Sequence, residues 1–163
     1  MYDVIVARSV LEHLCDPLNA LESMVSCLKL GGKMIHRIDL RDHEMCTPDH
    51  HELTFLRFQS GFYRSMTQNS GRSNRVLFHC YCERLERLRE ARFINYVVSI
   101  TRLAGVGDLI PHQLPEKIDA GTWRRSERFV EDYCPRVAQE LSQVASRDLA
   151  VAGIFLVATR TCQ

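Results

Sequence analysis

The segment Tyr2-Asp3-Val4-Ile5-Val6-Ala7 is a short apolar, β-branched run without polar alternation. Such a run is expected of a strand covered on both faces of a parallel sheet. Further on, Asp16-Pro17 supplies a helix N-cap followed by proline at the first helical position. Leu18, Leu21, Met24 or Val25, and Leu28 then recur at helical spacing, which predicts an amphipathic helix ending at Gly31-Gly32. Those glycines are expected to give a left-handed cap and a tight turn into a second strand from Lys33 to Asp39. Strand, helix, strand in this order implies a right-handed parallel crossover and limits the chain to α/β architectures.

Residues 40–78 are rich in His, Asp, Thr, Asn, Ser and Gly, with one apolar-periodic island. Its members, Leu53, Leu56, Phe58, Phe62, Tyr63 and Met66, predict a helix. Phe55, Phe58, Phe62 and Tyr63 fit core packing better than a lid. An insertion of this length after a strand is expected to act as a cap or substrate-specificity segment. From His79 to Ala91, Tyr81, Leu85 and Leu88 lie among alternating Arg and Glu, which predicts a surface helix. Ile94 to Leu103 reads as a third strand, and Gly105, Gly107, Pro111 and Pro115 predict a flexible loop after it. A last helix is expected from Glu127 to Val144, kinked or restarted at Pro135, before a fourth, fully buried strand from Ala152 to Thr159.

At 163 residues the chain has the size of one domain. Its 25% charged residues and net charge of +1 lack the basic excess of a nucleic-acid binder. No apolar run approaches the roughly 20 residues of a membrane span, and no leader pattern opens the chain, so a cytoplasmic protein is expected. Seven cysteines without a C-x-x-C pair point to reduced thiols. Cys80 and Cys82 are too close for a routine disulfide and wrongly spaced for a zinc knuckle. Asp39, Asp42, His43, His50, His51 and Glu52 form the densest ligand-type cluster. Arg37 and Arg41 neutralise that stretch and its spacing fits no common metal motif, so loop hydrogen bonding or substrate contact is expected there, and no metal. The basic run Trp123 to Arg128 reads as a solvated surface.

The stretch YDVIVARSVLEHLCDPLNALESMVSCLKLGGKMIHRIDL, Tyr2 to Leu40, resembles the second half of class I S-adenosylmethionine-dependent methyltransferases. In that family the fourth strand leads through a V-L-E-H-like segment, a D-P-capped helix and an L-K-x-G-G turn into the fifth. The later segments, including the closing GIFLVATR, are similar to the family as well. The resemblance implies the C-terminal half of a doubly wound Rossmann-like sheet, residues 1–163 forming a partial domain with strand order 4-5-7-6 and the last strand antiparallel. Two positions depart from the family. Arg92 stands where glycine is usual, so a different helix cap is expected, and Phe78-His79 stands where a Ser or Thr cap is usual.

The resemblance also implies a site. The cofactor crevice of such sheets lies beyond the carboxyl ends of the strands at the switch point, between strands 1 and 4 in this family. Its other wall carries a glycine-rich turn and an acidic residue that holds the ribose. No G-x-G-x-x-G occurs in these 163 residues, so a C-terminal fragment with weak affinity for S-adenosylmethionine is expected, or else a non-catalytic binding or regulatory remnant. By resemblance, Ala7, Arg8, Ser9 and Val10 lie against the methionine and sulfonium part of the cofactor, with His13 in the next turn. Methyl transfer is an in-line displacement, for which proximity and orientation suffice. His13 is the candidate base where a small-molecule acceptor must lose a proton. Asp39, Arg41, His43 and Tyr63 are the substrate-contact candidates. The apolar edge Val4-Ile5-Val6 invites self-association or a complementing chain.

Overall fold

The computed structural model describes residues 1–42, 51–68 and 70–161. One mixed sheet contains β1 (Tyr2–Arg8), β2 (Leu28–Asp39), β3 (Ile94–Leu103), β4 (Gly107–Gln113) and β5 (Val151–Arg160), in the order β1-β2-β5-β3-β4. β1 and β2 are parallel, whereas β2–β5, β5–β3 and β3–β4 are antiparallel. The first four strands of that order reproduce the expected 4-5-7-6 arrangement with an antiparallel last strand. β4 is an addition, and the loop expected there is corrected to a paired strand. Gly105 and Gly107 take φ values of +69° and +100°, which closes a tight turn and sends Gly107 and Asp108 back along β3. Pro111 is tolerated because β4 lies at the edge of the sheet.

Helix α1 (Pro17–Cys27) begins as predicted, with the Asp16 carboxylate accepting from the Asn19 amide at 3.1 Å. Its end differs from the expectation, since Leu28 is already extended and begins β2. The glycines therefore shape a strand irregularity and cap no helix. Gly31 has φ +75°, and the β1–β2 register shifts between Tyr2 and Val4. A Cβ on Gly32 would stand 2.8 Å from the Lys29 carbonyl and 3.0 Å from that of Tyr2.

Within the aromatic island, Thr54–Arg57 forms one short helical turn and Ser60–Thr67 forms α2. Phe55, Leu56 and Tyr63 are buried while Phe62 is exposed, so packing accounts for most of the island. Helix α3 (Phe78–Glu90) has no side-chain cap, because the N-cap position is held by Leu77, which is buried. At its far end Arg92 adopts φ +60°, and the Phe93 amide donates to the Leu88 carbonyl at 2.9 Å. The left-handed conformation that suits glycine is thus kept by arginine, and the different cap expected there does not form. Helix α4 (Ala120–Tyr133) starts seven residues before the expected Glu127, because Asp119 caps it by accepting from the Thr122 amide at 2.9 Å. It ends at Cys134-Pro135, and a short α5 (Ser146–Ala150) then feeds β5.

One face of the sheet is buried with the helices. Met34, Ile38, Ile94, Ile100, Ile154 and Leu156 share a cluster with Leu21 and Val25 of α1 and with Tyr81 and Leu85 of α3. The opposite face is open. Register places Val6, Ile35, Val157 and Val97 in one row across β1, β2, β5 and β3, and Val6 and Val97 are 67% and 56% exposed. The two-sided cover expected for β1 is present on one side among the described residues.

Candidate functional site

The carboxyl ends of β1 and β2 open into a cleft of about 190 Å³ lined by Arg8, Ser9, Arg37, Ile38, Asp39, Arg41, Thr101, Arg102, Asp108, Ala152 and Gly153. Ser9 leaves β1 with φ +55°, a conformation that costs a non-glycine residue roughly 1–2 kcal/mol. Its amide donates to the Arg37 carbonyl at 3.0 Å, which fixes the turn to the end of β2. The cleft floor is partly bare backbone, since a Cβ on Gly153 would stand 2.6 Å from Thr101 Oγ1.

Charges in the cleft fall into three groups. Asp39 accepts a forked pair from Arg41, Nε to Oδ1 at 2.9 Å and Nη2 to Oδ2 at 2.5 Å, and this bond raises the Arg41 pKa. Arg102 donates to Asp108 and to Glu52, each at 3.0 Å. Arg8 and Arg37, partners across the parallel ladder, form no ion pair among the described residues.

His13 and Tyr63 line a different cavity of about 490 Å³, with Ser60, Arg64, Asn74 and Arg75 among its walls. The structure therefore brings together Arg8, Ser9, Asp39 and Arg41 and separates them from His13 and Tyr63. The Tyr63 hydroxyl donates to the Ser73 carbonyl at 2.8 Å, and Arg75 lies 5.0 Å over its ring. Arg75 in turn donates to the Phe55 and Phe58 carbonyls, to Ser60 and to Glu140, so this wall is heavily cross-linked. Ala7 is paired with His36 in the ladder, and Val10, 42% exposed, lines neither cavity. His43 lies outside the described residues.

The part played here by Asn74, and by Glu12 beyond its place in the V-L-E-H-like segment, is not apparent from the sequence. Glu12 is 1% exposed, and its Oε1 accepts from the Asp39 amide at 3.4 Å, which links the turn after β1 to the end of β2. Asn74 holds the same turn from the other side, with Nδ2 donating to the Leu11 and Leu14 carbonyls at 2.8 and 2.9 Å. Asn74→Ala is expected to lower stability by about 2 kcal/mol, because two carbonyls lose their donor. Urea unfolding checks this, and a change below about 0.5 kcal/mol, the scale of an ordinary surface substitution, would contradict it. Burial raises the thiol pKa of Cys80, and that of Cys82 to about 11, so neither is a ready nucleophile at neutral pH.

A family model described as a methyltransferase domain matches residues 1–95. No curated protein matches the chain. Among solved structures, it is similar to a Haemonchus contortus phosphoethanolamine N-methyltransferase 2 in complex with phosphomonomethylethanolamine and S-adenosylhomocysteine, at 14% identity and TM-score 0.41 over 99% of this chain and 34% of that one. A putative methyltransferase from Bacillus halodurans matches at 13% identity and TM-score 0.37, over 99% of this chain and 65% of that one. The [4+2]-cyclase SpnF matches at 15% identity and TM-score 0.36, over 98% and 49%. The chain thus spans between about a third and two thirds of the length of these three structures.

Proposed function

The chain belongs to the methyltransferase-domain family, and from that premise we propose that it forms one wall of an S-adenosylmethionine-dependent site for a small-molecule acceptor. The observation that carries this reading is the cleft at the carboxyl ends of β1 and β2, with the left-handed Ser9 at its rim and Asp39 and Arg41 opposite. Ala7 to Val10 meet the methionine part of the cofactor, as the family resemblance implies, at the point where β1 ends and Ser9 turns left-handed. When bound, the cofactor supplies a sulfonium methyl for in-line transfer. Asp39 and Arg41 orient the acceptor, with His43 as a further contact. His13 and Tyr63 act from the neighbouring cavity, His13 by taking a proton from an acceptor that extends into it.

The open edge of β1 supports the view that this wall is completed by another segment or chain, since Tyr2, Val4 and Val6 remain exposed there. Alone, the chain should bind cofactor weakly. Titration followed by amide NMR is expected to give a dissociation constant on the order of 1 mM, with shifts concentrated at Ala7 to Val10 and Asp39. No shifts at those amides under near-saturating cofactor would refute the cofactor assignment. A micromolar constant would instead refute the one-wall reading. The non-catalytic alternative rests on the same exposed edge and is favoured if the chain forms stable dimers that no cofactor perturbs.

A further inference from the structure

We propose that Arg8 and Arg37 form an anion subsite that takes a phosphate-like dianion carried by the methyl acceptor, an inference that rests on the methyltransferase reading for the word acceptor but not for the anion. The two residues are direct partners in the parallel β1–β2 ladder, and neighbouring strands lie about 4.8 Å apart. Residues so paired point to the same side, and both line the cleft. Like charges set opposite each other across a ladder are destabilising unless something neutralises them.

The carboxylates nearby do not do so. Asp39 is engaged by both forks of Arg41, and Asp108 and Glu52 are engaged by Arg102. Among the described residues, Arg8 and Arg37 are thus two unmatched guanidinium groups beside a polar cleft. Arg102 also lines that cleft, but its Nη1 and Nη2 donate to Asp108 and Glu52, which leaves Arg8 and Arg37 as the cations open to an anion. Guanidinium forks match the oxygen spacing of phosphate and carboxylate. Two unmatched positive charges match a dianion in charge and leave a single carboxylate with one cation unanswered. The cleft, about 190 Å³ in volume, suits a tetrahedral oxyanion with a short substituent.

Calorimetry of the full chain at low salt, with inorganic phosphate in one arm and acetate in the other, tests the proposal. Phosphate is expected to bind with a dissociation constant on the order of 1 mM, and acetate about tenfold more weakly. R8Q and R37Q should each weaken phosphate about tenfold, R37K should lose less than R37Q because charge survives without the fork, and the remote R87Q should match the parent. Thermal melts of the variants establish that each is folded. Equal phosphate affinity in R8Q, R37Q and the parent overturns the subsite, as does no phosphate binding at about 10 mM. Equal affinity for acetate and phosphate overturns the dianion. These results are independent of the cofactor-induced shifts at Ala7 to Val10. Phosphate binding without any cofactor response would sink the methyltransferase reading and leave the anion subsite standing, whereas the reverse would sink the subsite alone.

Discussion

Gly105→Ala is expected to lower the stability of the chain by about 3 kcal/mol, from two separable causes. Gly105 sits between β3 and β4 at φ +69°, where an L side chain costs about 1 kcal/mol. The new methyl group would also stand 2.3 Å from Phe129 Cγ and 2.5 Å from its Cδ2, an overlap that requires the ring to move. Phe129 has little freedom to do so, because His51 stacks on it at 4.4 Å and on Tyr133 at 4.2 Å. Overpacking of this kind costs about 1–3 kcal/mol. Gly107→Ala provides the control, since Gly107 has φ +100° with nothing within 4 Å of its would-be Cβ. It should lose the backbone contribution alone. Urea midpoints at constant slope measure both, and equal losses in the two variants would remove Phe129 from the explanation.

The same turn marks the limit of what the sequence reveals. β1, α1, β2, α3, β3 and β5 are legible because each carries an unbroken apolar period, while the boundary between α1 and β2 falls earlier than Gly31-Gly32 suggests. β4 is not legible, because glycine and proline punctuate a hairpin and an irregular loop alike, and the pairing of Gly107 with Leu103 is a long-range choice. The start of α4 was hidden by Gly121, whose low helix propensity masks the Asp119 cap three residues before Thr122.

At the site, Arg8, Ser9, Asp39 and Arg41 line one cleft, whereas His13, in the helical turn Leu11–His13, lines another cavity. The juxtaposition of Arg8 and Arg37 could not be read in advance, because it depends on register. The irregularity at Gly31-Gly32 sets that register, and a one-residue slip would turn Arg37 toward the covered face.

His36→Leu is expected to flatten the acid sensitivity of the fold by about 3 kcal/mol between pH 6.5 and 4. His36 lies in β2 between Ala7 and Leu156, is 1% exposed, and has no hydrogen-bond partner at either ring nitrogen among the described residues. Burial lowers its pKa from 6.5 to about 4. In that interval the unfolded chain takes up a proton that the folded chain refuses. Stability therefore falls as pH drops through 6.5 and stops falling from this cause below about 4. Leucine belongs to the apolar row of Met34 and Ile38, so the variant should also gain about 1 kcal/mol at neutral pH by removing an unsatisfied polar group. Carboxylates contribute their own acid loss to both proteins, so the informative quantity is the difference between the two urea-derived profiles at pH 7, 5.5 and about 4. A difference that stays constant across that range would mean that His36 is already protonated in the fold or is hydrated in it. Either would contradict a dry, neutral imidazole at the centre of the β1–β2–β5 ladder.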